Sequence, residues 1–337
     1  MGSRSRPRRP RRRAVKVARK AKGAARGAKR APARNKPPGR AAPGALVSTE
    51  WLAAQLARPQ SGRAGQRLRV LDGTWHMPQL QRDPRREFEE GHIPGAAFFD
   101  VDAVSDHTTS LPHMLPSAAQ FSRQASELGI SNSDLVVVYD VRGVVSAARV
   151  WWTFRAMGHD RVAVLDGGLR KWRAEGRPVE TGPAKAAPGR FRARLRRGIV
   201  RDLEQVRRKI DSRREQTLDA RSRGRFAGTE PEPRAGLRGG HIPGSLNLPY
   251  DALYRPDGTL LPPDGLRLAF AESGVNPARP VTTTCGSGVT ASVLALGLHL
   301  IGHTKVAVYD GSWTEWASNR DTPVETQGGR APWRTIR

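Results

Sequence analysis

At 337 residues, 37% of them apolar, the chain is long enough for two ordinary domains, and its single cysteine excludes an internal disulfide framework and fits a reducing compartment. The formal net charge of +27 is unevenly placed: residues 1–45 carry 17 Lys or Arg and no acid, which leaves +10 on residues 46–337. No apolar run reaches the length of a membrane span, the longest (near Val293 to Ile301) being broken by His299, and scattered His with one Cys give no metal-ligand spacing.

Residues 1–45 are Arg, Lys, Pro, Ala and Gly, too poor in large apolar side chains to offset the entropy of ordering, so a disordered tail is expected. Such a tail binds nucleic acid or another polyanion weakly through counterion release, or has no role. An organelle transit peptide is the lesser reading, because the segment lacks Leu and Phe and holds little Ser, and no apolar stretch follows it as a secretory signal requires. A cytoplasmic protein is expected.

The folded part starts near Leu46, with Ser48 as N-cap of a helix through Leu56. Strands are predicted at Leu68–Leu71, ending at Asp72, and at Leu135–Tyr139 and Val162–Leu165, with helices from Ser117 (a capping box with Gln120) to Leu128 and from Ser146 to Met157. His92-Ile93-Pro94-Gly95 fits a type II turn, since Gly takes the required positive φ at no steric cost. Residues 181–190, rich in Pro, Gly and Ala, read as a linker. The plan then repeats, with a helix at Asp202–Ser212, strands at Gln216–Leu218, Val281–Thr284 and Val306–Tyr309, and a second turn at His241-Ile242-Pro243-Gly244.

Gly158-His159, Asp166-Gly167 and Trp172 match Gly302-His303, Asp310-Gly311 and Trp316 at one offset of 144, which marks a duplicated α/β domain. Alternating strands and helices predict, in each copy, a mainly parallel sheet flanked by helices on both faces. The segments expected are a basic tail (1–45), a non-catalytic domain (46–180), the linker (181–190), a catalytic domain (191–325) and a C-terminal tail (326–337).

Cys285 lies between the Val281–Thr284 strand and the Ser292–Leu300 helix, in a loop with Gly286 and Gly288. Backbone N–H groups and a helix N-terminus around the sulfur favour an anion there, and ligands of such sheets sit beyond the strand C-termini. The same offset sets Val141 opposite Cys285 with Asp140 beside it, so the first half lacks a thiol and is expected to be a scaffold.

The paired His-Ile-Pro-Gly turns, Asp219-Ala220-Arg221 with Gly224-Arg225-Phe226, Pro231-Glu232-Pro233-Arg234 and Asp310-Gly311-Ser312-Trp313 resemble the tandem-domain rhodanese family of sulfurtransferases over residues 46–320. The resemblance implies two rhodanese-like domains, no cofactor, and a Cys285 persulfide that takes sulfur from a donor and gives it to thioredoxin, a small thiol or cyanide. The neutral Gly286-Ser287 pair is similar to the branch that uses 3-mercaptopyruvate; thiosulfate is the alternative donor, for which basic residues there are typical. It further implies Arg225 and Arg234 as clamp for the donor's carboxylate and keto oxygen, the loop residues Gly286, Gly288, Val289 and Thr290 as the sulfur's cradle, and a relay of Ser287, His92 and Asp83. His92 has a second reading: it occupies a turn that His241 repeats, where a structural role suffices. A fold-related phosphatase needs Arg six residues after the cysteine and finds Ala291; a non-catalytic binding module anchored by the basic tail is the alternative of another class.

Overall fold

β-Branched and apolar runs ended by Asp, Gly or Pro become ten short strands in two separate sheets. The first sheet holds β1 (Leu46–Val47), β2 (Leu68–Asp72), β3 (Ala96–Phe98), β4 (Leu135–Tyr139) and β5 (Val162–Leu165) in the order β1-β5-β4-β2-β3. The second holds β6 (Val200–Arg201), β7 (Gln216–Asp219), β8 (Leu246–Asn247), β9 (Val281–Thr284) and β10 (Val306–Tyr309) in the order β6-β10-β9-β7-β8. All pairs in both sheets are parallel. The computed structural model describes residues 1–2, 44–58, 67–184, 186–212, 214–327 and 329–330. The basic tail therefore lies almost wholly outside the described residues, as do positions 331–337 of the C-terminal segment. No helix among the described residues is long and apolar enough to cross a membrane.

Two helices, Val145–Ala156 and Ala291–Leu300, pack on each other between the sheets and are buried nearly all round, with the polar side chains of Ser146, Arg149, Thr153 and Ser292 buried too. They belong to one apolar cluster that runs from the first half into the second, from Phe121 and Phe154 to Leu294 and Leu298. Smaller clusters cover the far face of each sheet, one around Trp172 and the other around Trp313 and Trp316. Residues 189–196 bind the first half: Gly189 N–H reaches the Ser126 carbonyl, Arg194 N–H that of Met157 and Arg196 N–H that of Ala156.

Local signals resolve unevenly. Ser48 and Ser117 cap their helices, accepting the N–H groups of Trp51 and Gln120. The Gln120 side chain, however, donates to the Ser105 carbonyl instead of closing a capping box. A reciprocal box forms instead between Asp202 and Gln205. Gly95 and Gly244 both have φ +72°, and each turn closes with an N–H bond back to the isoleucine carbonyl.

Sheet register corrects one alignment. Asp72 pairs with Tyr139 and Asp219 with Thr284, so Tyr139 and Thr284 correspond, and Asp140, not Val141, stands where Cys285 does. The offset is 145 on the central strands and 144 only from Gly158 onward, because the halves differ by one residue in between.

His299, on the seam between the two halves, stacks obliquely on Trp151 at 5.5 Å. Burial, helped by the charge of Arg155, lowers its pKa from 6.5 to about 4. The unfolded chain therefore takes up the proton first as pH falls, and stability is lost between about 6.5 and 4. Denaturant titrations at stepped pH should show a shallower acid loss for His299→Leu than for the parent; equal slopes would clear His299 of that role.

Candidate active site

The loop after β9 is held by its carbonyls. The Cys285 carbonyl accepts the Trp313 N–H at 2.9 Å, and that of Gly286 accepts the Thr314 N–H (3.0 Å) and hydroxyl (2.7 Å). The Cys285 N–H donates to the Ser312 hydroxyl at 3.3 Å. Among the described residues the N–H groups of Gly286, Ser287, Gly288, Val289 and Thr290 meet no protein acceptor, while Cys285 as a residue is 2% exposed. The first half shows what such a loop does with an anion: the Asp140 carboxylate accepts the N–H groups of Arg142, Gly143 and Ala147 at 2.8–2.9 Å. Gly288 is obligatory, because at φ +79° a Cβ would lie 2.7 Å from Arg149 Nη1 and 3.0 Å from the Asp310 carbonyl.

Two guanidinium groups stand beside Gly286. A Cβ there would lie 3.2 Å from Arg225 Nη2 and 3.8 Å from Arg234 Nη1. Arg225, on the short Arg223–Ala227 helix, is aimed by Glu232, which accepts its Nη2 at 2.6 Å and Nε at 3.3 Å. Glu232 is in turn gripped at 2.7 Å by the fully buried Arg221, itself paired to Asp219. Arg234 has no carboxylate in ion-pair reach among the described residues. Burial lowers its pKa against the raising pull of Cys285, so the two groups feel each other.

Ser287 looks across to the first half. Its hydroxyl lies 2.9 Å from His113 Nδ1, and His113 Nε2 lies 3.1 Å from Asp102 Oδ1. With the carboxylate accepting from Nε2–H, Nδ1 is left as acceptor for the hydroxyl proton. Trp75 donates to the other Asp102 oxygen at 2.9 Å and sets its ring edge-on to His113. Burial raises the Asp102 carboxyl, but the bonds from His113 and Trp75 outweigh it and hold the pKa below the usual range. His113 keeps φ +62°, a costly conformation for a residue with a Cβ. Arg149 holds it there by donating to its carbonyl, while Arg149 Nη1 pairs with Asp310 at 2.8 Å and Asp310 takes the Leu115 N–H at 2.8 Å.

His92 and Asp83, expected with Ser287, are elsewhere. Asp83 is a helix N-cap whose carboxylate accepts the N–H groups of Arg85 and Arg86 ahead of Pro84. His92 binds the Phe88 carbonyl through Nδ1 at 2.8 Å and stacks on Phe88 at 4.0 Å. His241 repeats this with Phe226, at 2.7 Å and 3.7 Å, so in both halves this histidine fastens the turn. The first half therefore reaches the cysteine loop, through His113 against Ser287 and Arg149 against Asp310.

A rhodanese-like domain model matches residues 81–175 and 202–319. The human protein named 3-mercaptopyruvate sulfurtransferase is 48% identical over 274 residues, covering 81% of this chain and 91% of its own. The rat thiosulfate sulfurtransferase is 46% identical over 286 residues, covering 84% and 94%. The crystal structure of SseA from Escherichia coli, described as a 3-mercaptopyruvate sulfotransferase, superposes with a TM-score of 0.72 at 36% identity, over 80% of this chain and 99% of its own.

Arg149→Met would leave Asp310 a buried, unpaired carboxylate. Denaturant unfolding should register a loss of about 3 kcal/mol; a loss within about 0.5 kcal/mol, the range of ordinary surface substitutions, would show that the pair does not hold the halves together.

Proposed function

The chain belongs to the rhodanese family and is a sulfurtransferase, and on that premise we propose that it takes sulfur from 3-mercaptopyruvate onto Cys285 and passes it to a thiol acceptor. Relatives named for either donor are almost equally similar, so the site must decide between them. The deciding observation is the hydrogen-bonded row Ser287–His113–Asp102 beside a glycine where a thiosulfate site carries a cation. Mercaptopyruvate has a thiol proton to move; thiosulfate, a compact dianion, has none.

In this reading the Cys285 thiolate attacks the donor's thiol sulfur. An S–S bond forms as the C–S bond breaks, and the C–S electron pair goes to the methylene carbon, giving the enolate of pyruvate. The donor's thiol proton passes through Ser287 to His113 and returns to that carbon, so pyruvate leaves and a Cys285 persulfide anion remains. Arg225 and Arg234 bind the carboxylate and the keto oxygen on which the enolate charge develops. The N–H groups from Gly286 to Thr290 take the outer sulfur as those of the first half take the Asp140 carboxylate. An acceptor thiolate, of thioredoxin or a small molecule, then attacks the outer sulfur and restores Cys285; cyanide does the same.

The acid-free tail without Leu or Phe supports a cytoplasmic protein with a weakly polyanion-binding segment. One relative, from Arabidopsis thaliana, is named mitochondrial, and residues 1–45 fused to a fluorescent reporter decide between the two addresses.

Incubation with mercaptopyruvate should add one sulfur atom to the Cys285 peptide and release pyruvate; an unchanged peptide mass overturns the assignment. His113→Gln should cut kcat with mercaptopyruvate by about a hundredfold, whereas His92→Gln should lower stability and leave kcat within about twofold. The reverse pattern would return the relay to His92. Gly286→Arg should shift kcat/KM toward thiosulfate, and an unchanged donor ratio would remove Gly286 from specificity.

A further inference from the structure

A wide cavity among the described residues lies away from Cys285, in the first half. It measures about 1050 Å³ and opens at the C-terminal end of the first sheet, between the loop Val141-Arg142 and the helix Gly168–Ala174. By the register of the two sheets, Val141 and Arg142 correspond to Gly286 and Ser287, and Leu169 and Arg170 to Trp313 and Thr314. This is thus the duplicate of the place where the second half keeps its sulfur, at the strand ends where such sheets bind ligands.

Its chemistry has changed. The Asp140 carboxylate already occupies the backbone N–H groups of the loop, so any ligand must be held by side chains. Five arginines line the cleft against two glutamates. Arg82 is spent on Glu87, and Arg177 on Glu175 and Glu50. Arg142, Arg170 and Arg173 have no carboxylate partner among the described residues; Arg173 gives one Nη2–H to the Gly91 carbonyl at 2.7 Å and keeps its charge uncompensated. Three guanidinium groups without a counter-charge around one cavity ask for a ligand with several negative charges and paired oxygens. A monocarboxylate such as pyruvate supplies one charge and fills little of the space.

We propose that this cleft binds an oligophosphate. Each phosphate group presents three strong acceptor oxygens and at least one full charge, which a guanidinium fork meets with two parallel hydrogen bonds. Inorganic polyphosphate and a nucleoside triphosphate share that chemistry; Val141 and Val179 provide the apolar surface that a nucleoside would use in addition.

The test is calorimetric titration of the full chain with tripolyphosphate and, separately, with ATP at physiological salt. The basic N-terminal segment is present in every sample, so its contribution cancels in the comparison. Arg142→Ala and Arg170→Ala are exposed substitutions outside the sulfur site, and each should weaken one saturable site by about tenfold. A control variant, Arg123→Ala with Arg208→Ala, removes two charges elsewhere, one more than either test variant, and should bind within about twofold of the parent. Tighter binding of ATP than of tripolyphosphate at the arginine-dependent site identifies a nucleotide; the opposite order identifies polyphosphate. The proposal falls if Arg142→Ala and Arg170→Ala titrate like the parent, or if the control loses as much affinity as they do.

Discussion

The ion pair between Arg149 and Asp310 joins the halves, and the geometry of the sulfur site depends on it. Withdrawing two charges from water costs several kcal/mol for each, and their attraction alone repays that poorly. Here both ions have further partners. Arg149 lies over the Trp152 ring at 4.6 Å and donates to the His113 carbonyl, and Asp310 accepts the Leu115 N–H. The pair therefore fixes residues 113–115, a strap of the first half, against the cysteine loop of the second. Without that strap His113 loses the bond its carbonyl accepts from Arg149, and with it a restraint on its left-handed conformation opposite Ser287.

The duplication explains why the strap exists at all. Asp166, the counterpart of Asp310, accepts the Leu260 N–H at 2.9 Å, so each half lends a strap to the other. Two residues before that amide the copies diverge: Gly258 has φ +85°, free of cost, where His113 has φ +62°. The same division separates Asp140 from Cys285, one loop neutralised by its own carboxylate and the other left with unpaired N–H groups. At one of two equivalent places the chain tolerates strain and unsatisfied N–H groups, and at the other the loop satisfies its N–H groups with its own carboxylate.

Much of this was legible in the residues. The β-branched runs gave the strands, the repeated Asp-Gly and Trp spacing gave the two halves, and the Gly-flanked lone cysteine marked the loop whose N–H groups meet no protein acceptor among the described residues. Arg225 and Arg234 were recognisable by motif, and both stand beside Gly286. The meeting of Ser287 with His113 was not readable, because the two residues lie in different halves, 174 positions apart, which no spacing along the chain records. His92 drew attention by lying in a conspicuous turn, yet its own repetition at His241 was the sign of a structural duty. The useful signal was subtler: a histidine in one copy aligned with a glycine in the other. A single-residue difference between the copies hid it, as it hid Asp140 behind Val141.

The helices Val145–Ala156 and Ala291–Leu300 leave almost no face to solvent, and each packs on the other half of the molecule. Gene duplication is commonly pictured as joining two modules that still stand alone. Here the ancestral surfaces have been surrendered to a common interior, so either half expressed by itself would present a bare oily column to water and aggregate. The unit on which selection now acts, for folding as much as for sulfur transfer, is the pair.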